Sequence, residues 1–171
     1  MKKVIVVLIG VVLFGCKSKQ PKNSENVKSE INLVLDNWHK AAAEANFNNY
    51  FNVMTEDAIY IGTDPTENWN KQEFIKFSIP YFDRGRAWNF TALERNVYFS
   101  SDGKTVWFDE LLNTQMKICR GSGVLVADEK GNWKIKHYVL SMTIPNDNTD
   151  EVVKIKSLIE DKEIEKLKKG E

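Results

Sequence analysis

Beyond Arg86 the apolar spacing of the chain changes from three-and-four to two, and this switch constrains the fold more than any other feature. Upstream of it, Ile31, Val34, Leu35, Trp38, Ala42 and Ala45 share one face of an amphipathic helix spanning residues 27–45. Phe47, Tyr50, Phe51 and Met54 continue that spacing. Asn46, Asn48 and Asn49 are poor helix formers, so the pattern predicts a break and a short second helix. Residues 58–62 read as a short strand and 63–68 as a loop. Asn70 with Glu73 three residues on makes a capping box, which opens a third helix whose inward face is Phe74, Ile75, Phe77, Ser78, Tyr81 and Phe82. Pro80 kinks or ends it. Downstream, residues 88–100, 105–114, 118–127 and 133–144 are β-rich, and the turns at 101–104 and 128–132 make neighbouring strands antiparallel. The expectation is an α+β domain over residues 27–146, a curved antiparallel sheet wrapped on three N-terminal helices. Residues 147–171 form a further amphipathic helix, expected to pack by Val152, Ile155 and Ile159 against the domain or a second subunit.

The start of the chain bears on location. Lys2 and Lys3 precede the apolar run 4–14, and Leu13-Phe14-Gly15-Cys16 closes it. This resembles a bacterial lipoprotein signal, in which a basic end stays cytoplasmic, an apolar segment enters the export machinery, and cleavage exposes a cysteine that takes lipid. The resemblance implies a signal peptide over residues 1–15, lipid on Cys16 and a polar tether over 16–26. It also implies anchorage to a bacterial membrane, expected to be the outer membrane on its periplasmic side. The apolar run would cross only about half of the hydrocarbon layer. With Cys16 lipidated, Cys119 lacks a disulfide partner and reads as a small core hydrophobe in a strand. Basic and acidic residues balance at 24 each and the lysines are dispersed, which excludes a nucleic-acid surface.

The element order, with Trp38, the segment Phe51-Asn-Val-Met-Thr-Glu-Asp57, Asn68-Trp69, Gly131-Asn-Trp-Lys-Ile-Lys-His137 and Ser141, resembles the SnoaL-like branch of the nuclear transport factor 2-like superfamily. That resemblance implies a cone with a pocket between sheet and helices, on a fold that hosts isomerases, cyclases, dehydratases and assembly domains.

Strand parity nominates what enters such a pocket. Trp133, Ile135, His137 and Val139 share one side of the last strand, which places His137 beneath the helices as a proton-transfer candidate or a core histidine. Asp109 and Glu110 fall on opposite faces of their strand, so one of them enters. Arg120 on the neighbouring strand is its expected partner, either as a register-fixing ion pair or as a holder of a ligand carboxylate. The run Gly121-Ser122-Gly123 leaves room for a bulge or for ligand approach. Tyr60, Trp69, Trp38, Trp88, Tyr98, Trp107 and Tyr138 supply aromatic walls, and His39 is expected to face solvent. Two histidines without ligand spacing give no metal site, and no cofactor motif is present. The functional expectation is a lipid-anchored domain that binds a small, largely apolar organic ligand. The alternatives are a proton-transfer enzyme using His137 with Asp109 or Glu110, and a homodimeric assembly module using the apolar outer face of strand 106–112.

Overall fold

The computed structural model describes residues 24–170; the leader, Cys16 and most of the tether lie outside the described residues. The chain runs α1 (Ser24–Ala43), α2 (Phe47–Phe51), β1 (Met54–Ile61), β2 (Asn68–Asn70), α3 (Lys71–Phe82), β3 (Thr91–Phe99), β4 (Thr105–Thr114), β5 (Lys117–Ala127), β6 (Trp133–Met142) and α4 (Thr149–Lys168). Six strands form one curved sheet in the order β2-β1-β6-β5-β4-β3. The last four are the expected antiparallel meander, and β1 returns beside β6 in parallel.

Local chemistry explains the boundaries. The break between α1 and α2 falls at Ala45, which takes a positive φ, and Asn46 caps α2 by accepting from the Asn49 amide. Asn70 accepts from the amides of Gln72 and Glu73 while the Glu73 carboxylate accepts from the Asn70 amide, the reciprocal box read from the sequence. The helix continues through Pro80 and ends at Phe82. One difference from expectation is β2, where Asn68, the last residue of the expected loop, pairs with β1 together with Trp69 and Asn70.

The helices cover the inner face of the sheet. Ile31, Leu35, Trp38 and Ala42 of α1 and Phe74 and Phe82 of α3 pack on Val106, Phe108, Leu112, Cys119, Leu125, Ile135 and Tyr138. Cys119 is fully buried, as expected of a core hydrophobe. Trp38 is sealed inside, stacked on Tyr50 at 5.0 Å, with Tyr138 edge-on at 4.8 Å.

The terminal helix behaves differently from its expected packing. Ile155 and Ile159 are 68% and 75% exposed, and α4 touches mainly the 3₁₀ turn Asn146–Asn148 that precedes it. Val152 is half-buried, and Ile155 and Ile159 border an open groove beside Asp64, Pro65 and Thr66, so this chain covers little of the apolar side, and intrahelical pairs such as Lys156–Glu160 add support. Among the described residues, no helix is long and apolar enough to cross a membrane.

Candidate functional site

The interior is organised around one buried carboxylate. Glu110 lies on the inner face of β4 with its side chain fully buried, and both its oxygens are engaged. Oε1 accepts from His39 Nε2 at 2.9 Å and from the Tyr138 hydroxyl at 3.2 Å, while Oε2 accepts from Arg95 Nε at 2.8 Å. Arg95 also reaches α1, donating to the Asn32 carbonyl at 3.2 Å and to Asp36 Oδ1 at 2.9 Å. Burial pushes the Glu110 carboxyl upward, but the hydrogen bond and charge of His39 and those of Arg95 outweigh it, leaving the group below the usual carboxylate range. Burial and the Glu110 charge hold the Tyr138 phenol well above its ordinary value, so it serves as a donor. The network ties the first helix to the sheet and fills the space a deep pocket would need.

Arg95, rather than the expected Arg120, is thus the partner of the inward acid. The signal was present in the sequence: counting back from the turn at 101–104 sets Arg95 directly opposite Glu110, as the register confirms. Arg120 stands opposite Leu111 and Ser141, exposed on the outer face. Asp109 also points outward, accepting from the Asn96 amide at 3.2 Å. His39, expected toward solvent, is 3% exposed, because α1 is embedded on a broader face than one apolar stripe.

His137 departs from its parity for an identifiable reason. Val124 pairs with His137 and Leu125 with Ile135, so Lys136 is an extra residue in β6. Trp133 and Ile135 keep the inward side, whereas beyond the bulge Tyr138 and Leu140 take it and His137 turns outward, half-buried. The bulged Lys136 pairs with Asp57, which lies in a matching irregularity of β1. Ser122 and Trp107 share the outer face with His137, and Trp107 stacks on Tyr98 at 6.0 Å. His137, Arg120 and Glu110 therefore do not converge. Gly121 and Gly123 turn inward, and their missing side chains make room for Tyr138, Glu110 and Phe108 rather than for a ligand.

An open space remains at the edge of the core, where α3, β1, β2 and the β4–β5 turn meet. Tyr60, Trp69, Phe74, Phe77, Tyr81, Trp88 and Phe90 surround a cavity of about 270 Å³, with Gly62, Thr63, Glu67, Gln115, Met116 and Leu140 completing the lining. The walls are layered: Tyr60 stacks on Phe74 at 3.8 Å and Trp69 on Phe77 at 4.4 Å. Burial and the Glu67 charge push the Tyr60 phenol far upward. Of the expected wall residues, Tyr60, Trp69 and Trp88 are here. Trp38 and Tyr138 are core, and Tyr98 and Trp107 are on the outer face. Phe77 and Tyr81 read as helix face, and only the fold brings them to this opening. Among the described residues, no group of three or more His, Cys, Asp or Glu side chains is placed to hold a metal ion.

Comparison with known proteins places this geometry in a family. The chain is similar in structure to a nuclear transport factor 2-like protein of unknown function from Pseudomonas putida (TM-score 0.61, 12% identity, covering 72% of this chain and 92% of that one). It is also similar to the association domain of CaMKII from C. elegans (TM-score 0.56, 19% identity, 71% and 100% covered). A third similar structure, from Shewanella frigidimarina, carries the provisional name ketosteroid isomerase (TM-score 0.53, 15% identity, 67% and 97% covered). At such identities the likeness carries the fold alone. No curated protein sequence matches the chain. The SnoaL-like domain model matches residues 31–145, from the first core residue of α1 to the end of the meander. This chain belongs to the SnoaL-like domain family, and its fold is similar to that of nuclear transport factor 2-like proteins.

Proposed function

We propose that the domain binds a small, largely apolar organic molecule in the aromatic cavity, displayed from a bacterial membrane through lipid on Cys16. The supporting observation is the cavity itself, whose seven aromatic side chains offer a planar ligand a large apolar surface. Binding is favoured over proton transfer by His137 with Asp109 or Glu110 because His137 and Asp109 lie on the outer face, away from the cavity, and Glu110 is already fully engaged. Titrating ¹⁵N-labelled protein with the neutral planar probe 2-naphthol is expected to shift the indole N–H signals of Trp69 and Trp88. Trp69→Ala is expected to weaken that binding about tenfold or more, the loss of one good aromatic contact. Unchanged affinity in the variant would remove the cavity from consideration. For the anchor, Cys16→Ser is expected to abolish metabolic lipid labelling, and persistent labelling would refute it.

A second reading, homodimerisation through the outer sheet face, has its own observation. Tyr98 and Trp107 form a stacked pair there, 43% and 45% exposed, beside the half-buried Ile59, Val124 and Val139. One similar structure is an association domain. On this reading Trp107→Glu yields a monomer in sedimentation equilibrium where the unmodified chain is a dimer, and a wild-type monomer would end it.

A further inference from the structure

The aromatic cavity has an electrostatic character that its apolar area does not convey. Aromatic faces carry negative quadrupole potential and edges positive, so each ring that turns its face to a bound group adds attraction for a cation there. Trp69, Tyr81 and Trp88 are half-buried and Phe77 is 37% exposed, so a molecule at the opening meets these rings directly. Glu67 supplies the formal charge of the lining, and among the described residues no lysine, arginine or histidine joins it. One carboxylate oxygen, Oε2, accepts from the Asp64 amide at 3.1 Å, which fixes the group above Gly62. Its other oxygen has no hydrogen-bond donor among the described residues. The chain also shows one ring of this wall receiving a cation, since the exposed Arg84 lies 4.8 Å from the centre of Tyr81 while remaining outside the lining.

A neutral or anionic ligand uses only the apolar area of such a site, and an anion is repelled by Glu67 and by the rings. A positive group on a small apolar body uses the area, the quadrupoles and the open carboxylate oxygen together. We propose that this cavity selects an organic cation, a quaternary ammonium or protonated amine of small size, an inference that rests on the cavity being the ligand site.

Choline and its uncharged carbon isostere, 3,3-dimethylbutan-1-ol, separate charge from shape, and each is titrated calorimetrically and by NMR into the full chain. Choline is expected to bind about tenfold tighter than the isostere, the scale of a partly desolvated cation–π site. Glu67→Gln retains an acceptor for the Asp64 amide and so preserves the loop, yet is expected to remove most of that preference. Trp69→Leu retains apolar area and is expected to weaken choline more than the isostere. Equal or tighter binding of the isostere overturns the cationic selectivity while leaving an apolar ligand site standing. Choline binding that is indifferent to both variants places the cation elsewhere and overturns the proposal. Absence of binding by either compound, together with a flat 2-naphthol titration, overturns both the selectivity and the ligand site.

Discussion

Glu110→Leu is expected to cost about 3–5 kcal/mol in urea denaturation, the scale seen when one member of a buried charge network is removed. The loss comes from what remains: the Arg95 side chain is 6% exposed, and without Glu110 its guanidinium keeps Asp36 and the carbonyl and side-chain oxygens of Asn32 at the edge of α1, a single carboxylate that is itself 60% exposed. His39 and the Tyr138 hydroxyl lose their acceptor at the same time. Glu110→Leu combined with Arg95→Met is therefore expected to be less damaging than Glu110→Leu alone, because no uncompensated charge stays buried. A single-variant loss below about 1 kcal/mol would show that Arg95 finds an equivalent partner. The same group gives the fold a pH dependence. Its folded value is depressed, so its contribution is present above the unfolded value of about 4.3 and is lost as pH falls through the lower folded value. Glu110→Gln is expected to flatten that acid limb in melts recorded from pH 6 down to about pH 3.

Gly123→Ala is expected to destabilise by about 1–3 kcal/mol through overpacking in a filled core. A Cβ at this position would meet the His137 carbonyl oxygen at 2.5 Å and the Phe108 ring at 2.9 Å. The first of these is backbone, so relief requires β5 and β6 to part beside the Lys136 bulge. Gly121 offers an instructive contrast, because a Cβ there would meet the Tyr138 hydroxyl at 2.4 Å and the Glu110 side chain at 2.9 Å. Tyr138→Phe is thus expected to rescue part of the loss in Gly121→Ala and none of the loss in Gly123→Ala. A double-mutant cycle in chemical denaturation measures the difference, and equal coupling at the two glycines would contradict this account.

These two sites show how far sequence reasoning reaches. The helices, their caps, the meander and the family were legible because capping boxes, turn residues and apolar periods are local signals that tertiary context reinforced. Glu110 and Asp109 were rightly divided between two faces, because alternation holds within an unbroken strand. Arg95 was within reach of the same logic, since the 101–104 turn sets its register, and it was missed by looking across the other hairpin.

What the sequence by itself determined, then, is what short-range geometry governs: the elements, their order and the alternation of sides along each uninterrupted strand. The direction of His137 was decided elsewhere, because one extra residue at Lys136 reverses parity and pairs with Asp57 in β1, far away in the chain. The cavity was likewise a tertiary outcome. Tyr60, Trp69, Phe77, Tyr81 and Trp88 come from four separate segments; Tyr60, Trp69 and Trp88 were legible as candidate walls, but only the curved sheet with α3 against it gathers them with Phe77 and Tyr81 around one opening. Periodicity states which side of an element turns inward; only the packing of several elements together decides where the inside is left unfilled.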